Sequence, residues 1–164
     1  MKNFRNLYLE CMQELHDIGI EYGCVSNWEI NTRAKKRWGQ CESLGHGYYS
    51  INISVRLLAD EVDDIATKTT ILHELLHTCD GCMNHGKEWL RLADKVNRAY
   101  GYNIKRTTSW EEKGIDKPDE IKPKYVIACP CCGTTWNYIR MTKAVQFPNL
   151  YRCGKCGVDL IRVK

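Results

Sequence analysis

Residues 66–79 read ATKTTILHELLHTC, and the five residues HELLH at 73–77 decide how the rest of the chain is read. Leu58, Val62, Ile65, Thr69, Leu72 and Leu76 recur every three to four residues around them. That spacing predicts a helix through the motif, with Asp60 as its N-cap. Residues four apart on a helix stand one above the other, about 6 Å apart, so His73 and His77 can grip one metal ion together. Glu74, beside the first histidine, is then placed to take a proton from water on that metal. This is the HExxH arrangement, in which Zn²⁺ lowers the pKa of its water to about 7 and the glutamate acts as general base. A candidate third ligand, His85, follows eight residues after His77 and just ahead of another predicted helix. The positive end of that helix favours the neutral imidazole that a metal requires.

The loop between the two candidate ligands, TCDGCMN, holds Cys79 and Cys82. With His77 and His85 they could form a closed Cys₂His₂ structural site, which would leave His73 and Glu74 idle and no open position for water. The other readings are that the two cysteines pack the loop, or stay as free thiols sensitive to oxidation. Upstream, Phe4, Leu7, Tyr8, Cys11, Leu15 and Ile18 fall at helical spacing, with Gly19 as the stop. From Val25 to Ile53 the pattern alternates, with Gly45 and Gly47 between Ile30 and Ile51, which predicts a small antiparallel sheet or hairpin. Residues 86–100 form a further helical pattern, with Trp89, Leu92, Val96 and Tyr100 on one face and Gly101 after it. The segment 113–124, KGIDKPDEIKPK, holds two prolines and many charges and reads as a linker.

Ten cysteines in 164 residues is a high count for a chain with a charged start, MKNFRNLYLECMQ, in place of a signal peptide's apolar run. Cysteines in a chain expected to be cytoplasmic read first as metal ligands. Cys129-x-x-Cys132 and Cys153-x-x-Cys156 are two knuckles whose four thiolates fit tetrahedral Zn²⁺, with Gly133, Gly154 and Gly157 permitting the tight turns. Cys131 is a spare. A module of about 40 residues needs such a staple because its apolar core is too small. No run of about 18 apolar residues occurs, so a membrane span is not expected. Residues 1–112 carry 14 basic and 16 acidic side chains, whereas 113–164 carry 10 and 4. Arg140, Lys143, Arg152, Lys155, Arg162 and Lys164 alternate there with Trp136, Tyr138, Phe147 and Tyr151. Cations with stacking rings suit single-stranded nucleic acid, while the same rings could equally serve as the module's core. Arg33, Lys35, Lys36 and Arg37 beside Trp38 form a second basic cluster.

HELLH, then His85-Gly86 and Trp89 after two intervening residues, resembles the HExxH…HGxxW pattern of the SprT-like zinc metalloproteases, a group that includes the Spartan-type proteases acting on DNA–protein crosslinks. RWGQC and YYSINISVRLL, between 37 and 58, resemble that family's strand pair ahead of the active-site helix. The resemblance covers about residues 1–112 and implies His73, His77 and His85 as zinc ligands and Glu74 as catalytic base. The expected architecture is α+β: a zincin-like HExxH catalytic domain with a small antiparallel sheet at 1–112, a linker at 113–124, and a Cys₄ zinc ribbon at 125–164. Two zinc ions are expected, one catalytic on the histidines and one structural on Cys129, Cys132, Cys153 and Cys156. The expected activity is peptide-bond hydrolysis in protein substrates, with single-stranded DNA as a further partner. Residues 48–54 are the natural edge for an extended substrate, and Tyr48, Tyr49 and Arg37 are candidate donors to the oxyanion. Two rivals differ in class: a non-enzymatic nucleic-acid-binding protein with two structural metals, and a redox- or metal-responsive regulator acting through Cys79 and Cys82.

Overall fold

In a computed structural model the described residues are 1–34, 37–115 and 122–164. They fall into two compact units, Met1–Lys117 and Pro118–Lys164. Lys35 and Lys36 of the second basic cluster and residues 116–121 of the expected linker lie outside the described residues.

The first unit opens with α1, Phe4–Asp17, capped by the Asn3 side chain, which accepts the Asn6 N–H at 3.2 Å. Leu7, Cys11 and Leu15 are its buried face, as the spacing predicts. The helix ends in a Schellman turn: the Ile20 N–H reaches the Leu15 carbonyl and the Gly19 N–H that of His16, with Gly19 left-handed at φ 63°. Three strands follow, β1 (Cys24–Asn31), β2 (Gly39–Gly45) and β3 (Tyr48–Ser54). The expected antiparallel hairpin is β2–β3, with Gly39 opposite Ile53 and Cys41 opposite Ile51. β1, however, lies on the other side of β3 and runs parallel to it, so the sheet is mixed, in the order β1-β3-β2. The connection after β1 carries the chain past β3's position, so that β2 and β3 pair locally and β1 is left to take the remaining side of β3. One expectation changes as a result. Residues 48–54 form the central strand, paired on both sides, and the strand edge nearest the motif helix belongs to β2.

That helix, α2, spans Asp64–Leu76 and starts later than the spacing implies. Val55–Leu58 instead forms a 3₁₀ turn. The cap is Asp63, whose carboxylate accepts the Ile65 N–H at 2.8 Å, while Asp60 pairs with the α-amino group of Met1. Because the chain turns between Leu58 and Asp64, the phase carried over from Leu58 and Val62 is wrong for the helix proper, and Ile65 is half exposed. The buried face is Thr67, Thr70, Ile71, Leu72, Glu74, Leu75 and Leu76. It packs into one core with Ile51 and Ile53 of β3, Leu57, Leu58, and Trp89 and Val96 of α3, Lys87–Tyr100.

The second unit is built on β4 (Tyr125–Ala128), β5 (Thr135–Tyr138) and β6 (Ile161–Arg162), in the order β5-β4-β6 and antiparallel throughout. A short helix, α4 (Lys143–Gln146), which the sequence pattern did not announce, lies between the knuckles with Val145 buried. The core is small, consisting of Ile127, Cys129, Cys153 and Leu160 with Trp136 and Tyr138 packed on it. Among the described residues no helix is long and apolar enough to cross a membrane.

Candidate functional site

The last turn of α2 carries His73 and Glu74, and His77 caps it. The chain then turns through 78–86 and delivers His85 just ahead of α3. The three Nε2 atoms converge: His85 stands 2.9 Å from His73 and 3.2 Å from His77. Tetrahedral coordination at 2.0–2.1 Å places two ligand nitrogens about 3.3 Å apart, so the cluster has the dimensions of one such site. The other ring nitrogens are tied to carbonyl oxygens, His73 Nδ1 to Lys105 at 2.9 Å and His77 Nδ1 to Cys82 at 2.7 Å. A carbonyl only accepts, so Nδ1 carries the hydrogen and Nε2 presents its lone pair, which is the tautomer a metal requires. Burial lowers the pKa of all three rings. His73 is pushed down to about 3, first by burial and then by the neighbouring histidines. Neutral imidazoles therefore face one another at neutral pH.

Trp89 forms the floor of this cluster. Fully buried, its ring centroid lies 4.7 Å from that of His73, 5.7 Å from His77 and 4.6 Å from His85. Cys79 and Cys82 are buried in the core beside it and are not part of the histidine cluster. The loop-packing reading of the two thiols is therefore the one the fold supports, and the Cys82 carbonyl contributes by orienting His77.

Glu74 is buried on the side of α2 facing β2, and burial pushes its carboxyl up to about 8, opposed by a hydrogen bond from the Cys41 backbone and by the charge of Arg37. β2 approaches so closely that a Cβ on Gly39 would stand 2.6 Å from Glu74 Oε1. Only glycine gives the carboxylate that space. A cavity of about 250 Å³ opens beside His73 and Glu74, walled by Arg37, Trp38, Ile104, Lys105 and Trp110. Of the three candidate oxyanion donors, Arg37 alone lines it. Tyr48 is half exposed at the far end of β3, and the Tyr49 ring lies against Gly23. The sequence pattern alone assigns no role to Gly39, Trp110 or Lys113, which the fold brings to this cavity. An isolated glycine at a strand start, the mark of close backbone approach, was the available signal for Gly39. Lys113 had none, standing in a stretch that reads as a linker.

In the second unit all four cysteine sulfurs lie within 4.8 Å of one another, Cys129 and Cys156 at 3.3 Å and Cys132 and Cys153 at 3.5 Å. These separations approach the roughly 3.8 Å of a tetrahedral Zn–S₄ site. Hydrogen bonds from Thr134 draw the Cys132 thiol down to about 6, towards the thiolate a metal binds. Gly133 and Gly157, each one residue past a knuckle's second cysteine, have φ 68° and 70°. Cys131 is exposed and lies outside the cluster.

An HExxH helix completed by a third histidine at the start of the next helix defines a metallopeptidase-type site. The chain belongs to the SprT-like family, whose model matches residues 8–108, a span that contains most of α1, all of α2 and α3, and all three histidines. Among curated proteins none matches the sequence significantly.

Proposed function

We propose that this protein is a zinc-dependent metallopeptidase that hydrolyses peptide bonds in protein substrates. The observation that carries the reading is the convergence of His73, His77 and His85 Nε2, with His73 and the buried Glu74 lining an open cavity. A second zinc, purely structural, is assigned to Cys129, Cys132, Cys153 and Cys156. At the histidines, zinc supplies Lewis-acid polarisation of the scissile carbonyl and acidification of water. The chain supplies the rest. With its ionised form favoured by the charge of Arg37 and, when bound, of zinc, the Glu74 carboxylate would take a proton from the attacking water as the new C–O bond forms, and pass it to the amide nitrogen as the C–N bond breaks. Arg37, on the same cavity, is placed to stabilise negative charge developing on the carbonyl oxygen. The free edge of β2 offers backbone groups to an extended substrate, holding it across the site by strand addition.

The test is metal content and Glu74→Gln together. Two zincs per chain are expected in both wild type and variant, with activity falling by about 10²–10⁴-fold in the variant. Full activity in the variant, or a single zinc that added metal does not supplement, would favour a non-enzymatic binding protein. We further propose that the substrates are DNA-associated proteins, including DNA–protein crosslinks, with the second unit binding single-stranded DNA in the cytoplasm. Phe147 and Tyr151 support this, being exposed beside Lys143, Arg152 and Lys155, whereas Trp136 and Tyr138 pack on the unit's core. Phosphate contacts weaken as salt rises, so affinity for a short single strand that stays constant from about 50 to 200 mM salt would refute it.

A further inference from the structure

The cavity beside Glu74 has a charge pattern that hydrolysis itself does not require. Arg37, Lys105, Arg106 and Lys113 line it, and among its described lining residues Glu74 is the one carboxylate. Lys113 stands apart from the other cations because it is 4% exposed. Its ammonium donates to the Ala66 carbonyl at 2.7 Å and to Thr69 Oγ1 at 3.0 Å, both on α2. An ammonium has three donors, so one remains. The neighbouring carboxylate, Glu112, spends its hydrogen bonds on Lys105 Nζ at 2.6 Å and the Ser109 N–H at 2.8 Å, and acts on Lys113 through its charge alone. Burial pushes the Lys113 pKa down to about 8. Fastening residue 113 to α2 needs two donors but no charge, and a glutamine amide would serve. The buried charge is what remains to be explained.

Position and size narrow what it meets. Thr69 lies one turn before His73, so the Lys113 ammonium sits about 6 Å back along α2 from the first histidine. An extended peptide advances about 3.3 Å per residue, which puts this ammonium within reach of a side chain flanking the scissile bond. The volume, about 250 Å³, is below the ~300 Å³ at which pockets for whole small molecules begin, and suits a single side chain. Trp38 and Trp110, edge to face at 4.3 Å, close one wall.

We infer that Lys113 is the specificity-determining residue of this cavity, receiving an aspartate or glutamate side chain that flanks the scissile bond of a peptide substrate. The inference rests on the peptidase reading, and the test separates the two. Full-length zinc-loaded Glu74→Gln is titrated by fluorescence anisotropy with two labelled short-peptide pools, degenerate except for a fixed central Glu or a fixed central Gln. The Glu pool is expected to bind about ten- to a hundredfold more tightly, the worth of one hydrogen bond between charged partners. Adding Lys113→Gln, which removes the charge and leaves an amide donor on the same side of α2, brings that ratio to about one, whereas adding Lys113→Arg retains most of it. Equal affinity for the two pools, or binding of neither, overturns the assignment. So does displacement of the Glu pool by a short oligonucleotide that Lys113→Gln abolishes, which would give the cavity to phosphate. If the pools discriminate as expected but wild type cleaves neither, the peptidase reading fails and the acidic-residue pocket stands.

Discussion

Gly39→Ala tests the placement of the proposed catalytic carboxylate without touching a candidate ligand. The added methyl would stand 2.6 Å from Glu74 Oε1, 2.7 Å from Cγ and 3.0 Å from Cδ. Ordinary contact begins near 3.4 Å, so the carboxylate must retreat by roughly 0.8 Å. The fold does not resist the substitution elsewhere, because Gly39 has an ordinary strand conformation that alanine adopts. A misplacement of about 1 Å costs on the order of 10²-fold in rate, or about 2.7 kcal/mol of transition-state stabilisation. His73, His77, His85 and Trp89 keep their positions, so both proposed metal sites are expected to stay filled. The assay is kcat and KM on a labelled unfolded protein substrate, with zinc content and thermal midpoint measured on the same preparation. The expected result is a loss of about a hundredfold carried by kcat, with two zincs per chain and a folded protein. A variant within about threefold of wild type would show that Glu74 does not depend on the space Gly39 leaves it. Loss of one zinc would show that the effect runs through the ligands and would equally refute the reasoning.

Two further predictions concern buried side chains. Replacing Cys79 and Cys82 together by serine is expected to lower the thermal midpoint, since both thiols lie in the core, but to leave two zincs per chain; loss of one zinc would return the thiols to the ligand set. Lys113 gives a pH signature. Its folded value of about 8 lies below the ordinary 10.5, so below pH 8 the ammonium is charged in both states and stability is flat. Between 8 and 10.5 the folded chain has released a proton that the unfolded chain still holds, and stability rises with pH, by roughly 3 kcal/mol over the window. In urea unfolding, wild type should therefore gain on Lys113→Gln as pH rises from 7.5 to 10.5, and a constant difference would show that Lys113 carries no buried charge.

What the sequence makes legible here follows the range of the interactions involved. His73 and His77 need only a helix between them, and a helix is written in four-residue spacing. Each cysteine knuckle likewise closes within its own turn, and the two knuckles have only one another to meet within the small second unit. His85 is the intermediate case, since it lies on a short loop whose exit is fixed by the start of α3. Reading fails where a contact spans the fold. The spacing misplaces the start of α2 because Leu58 and Val62 belong to the turn before it, and it offers β3 as an edge because the side chains of β1 do not say which flank of the sheet it joins. The same limit hides the cavity. Its walls come from β2, α2 and residues 103–113, and Lys113 meets Thr69 across 44 residues of sequence. The groups assigned to peptide cleavage are therefore largely local in sequence. Those assigned to the choice of peptide come from the long-range packing of residues 103–113, the last of which opens the segment that composition marks as linker. A chain could thus retain HELLH and His85 while changing residues 103–113, and by this reasoning it would keep its chemistry and alter its substrates.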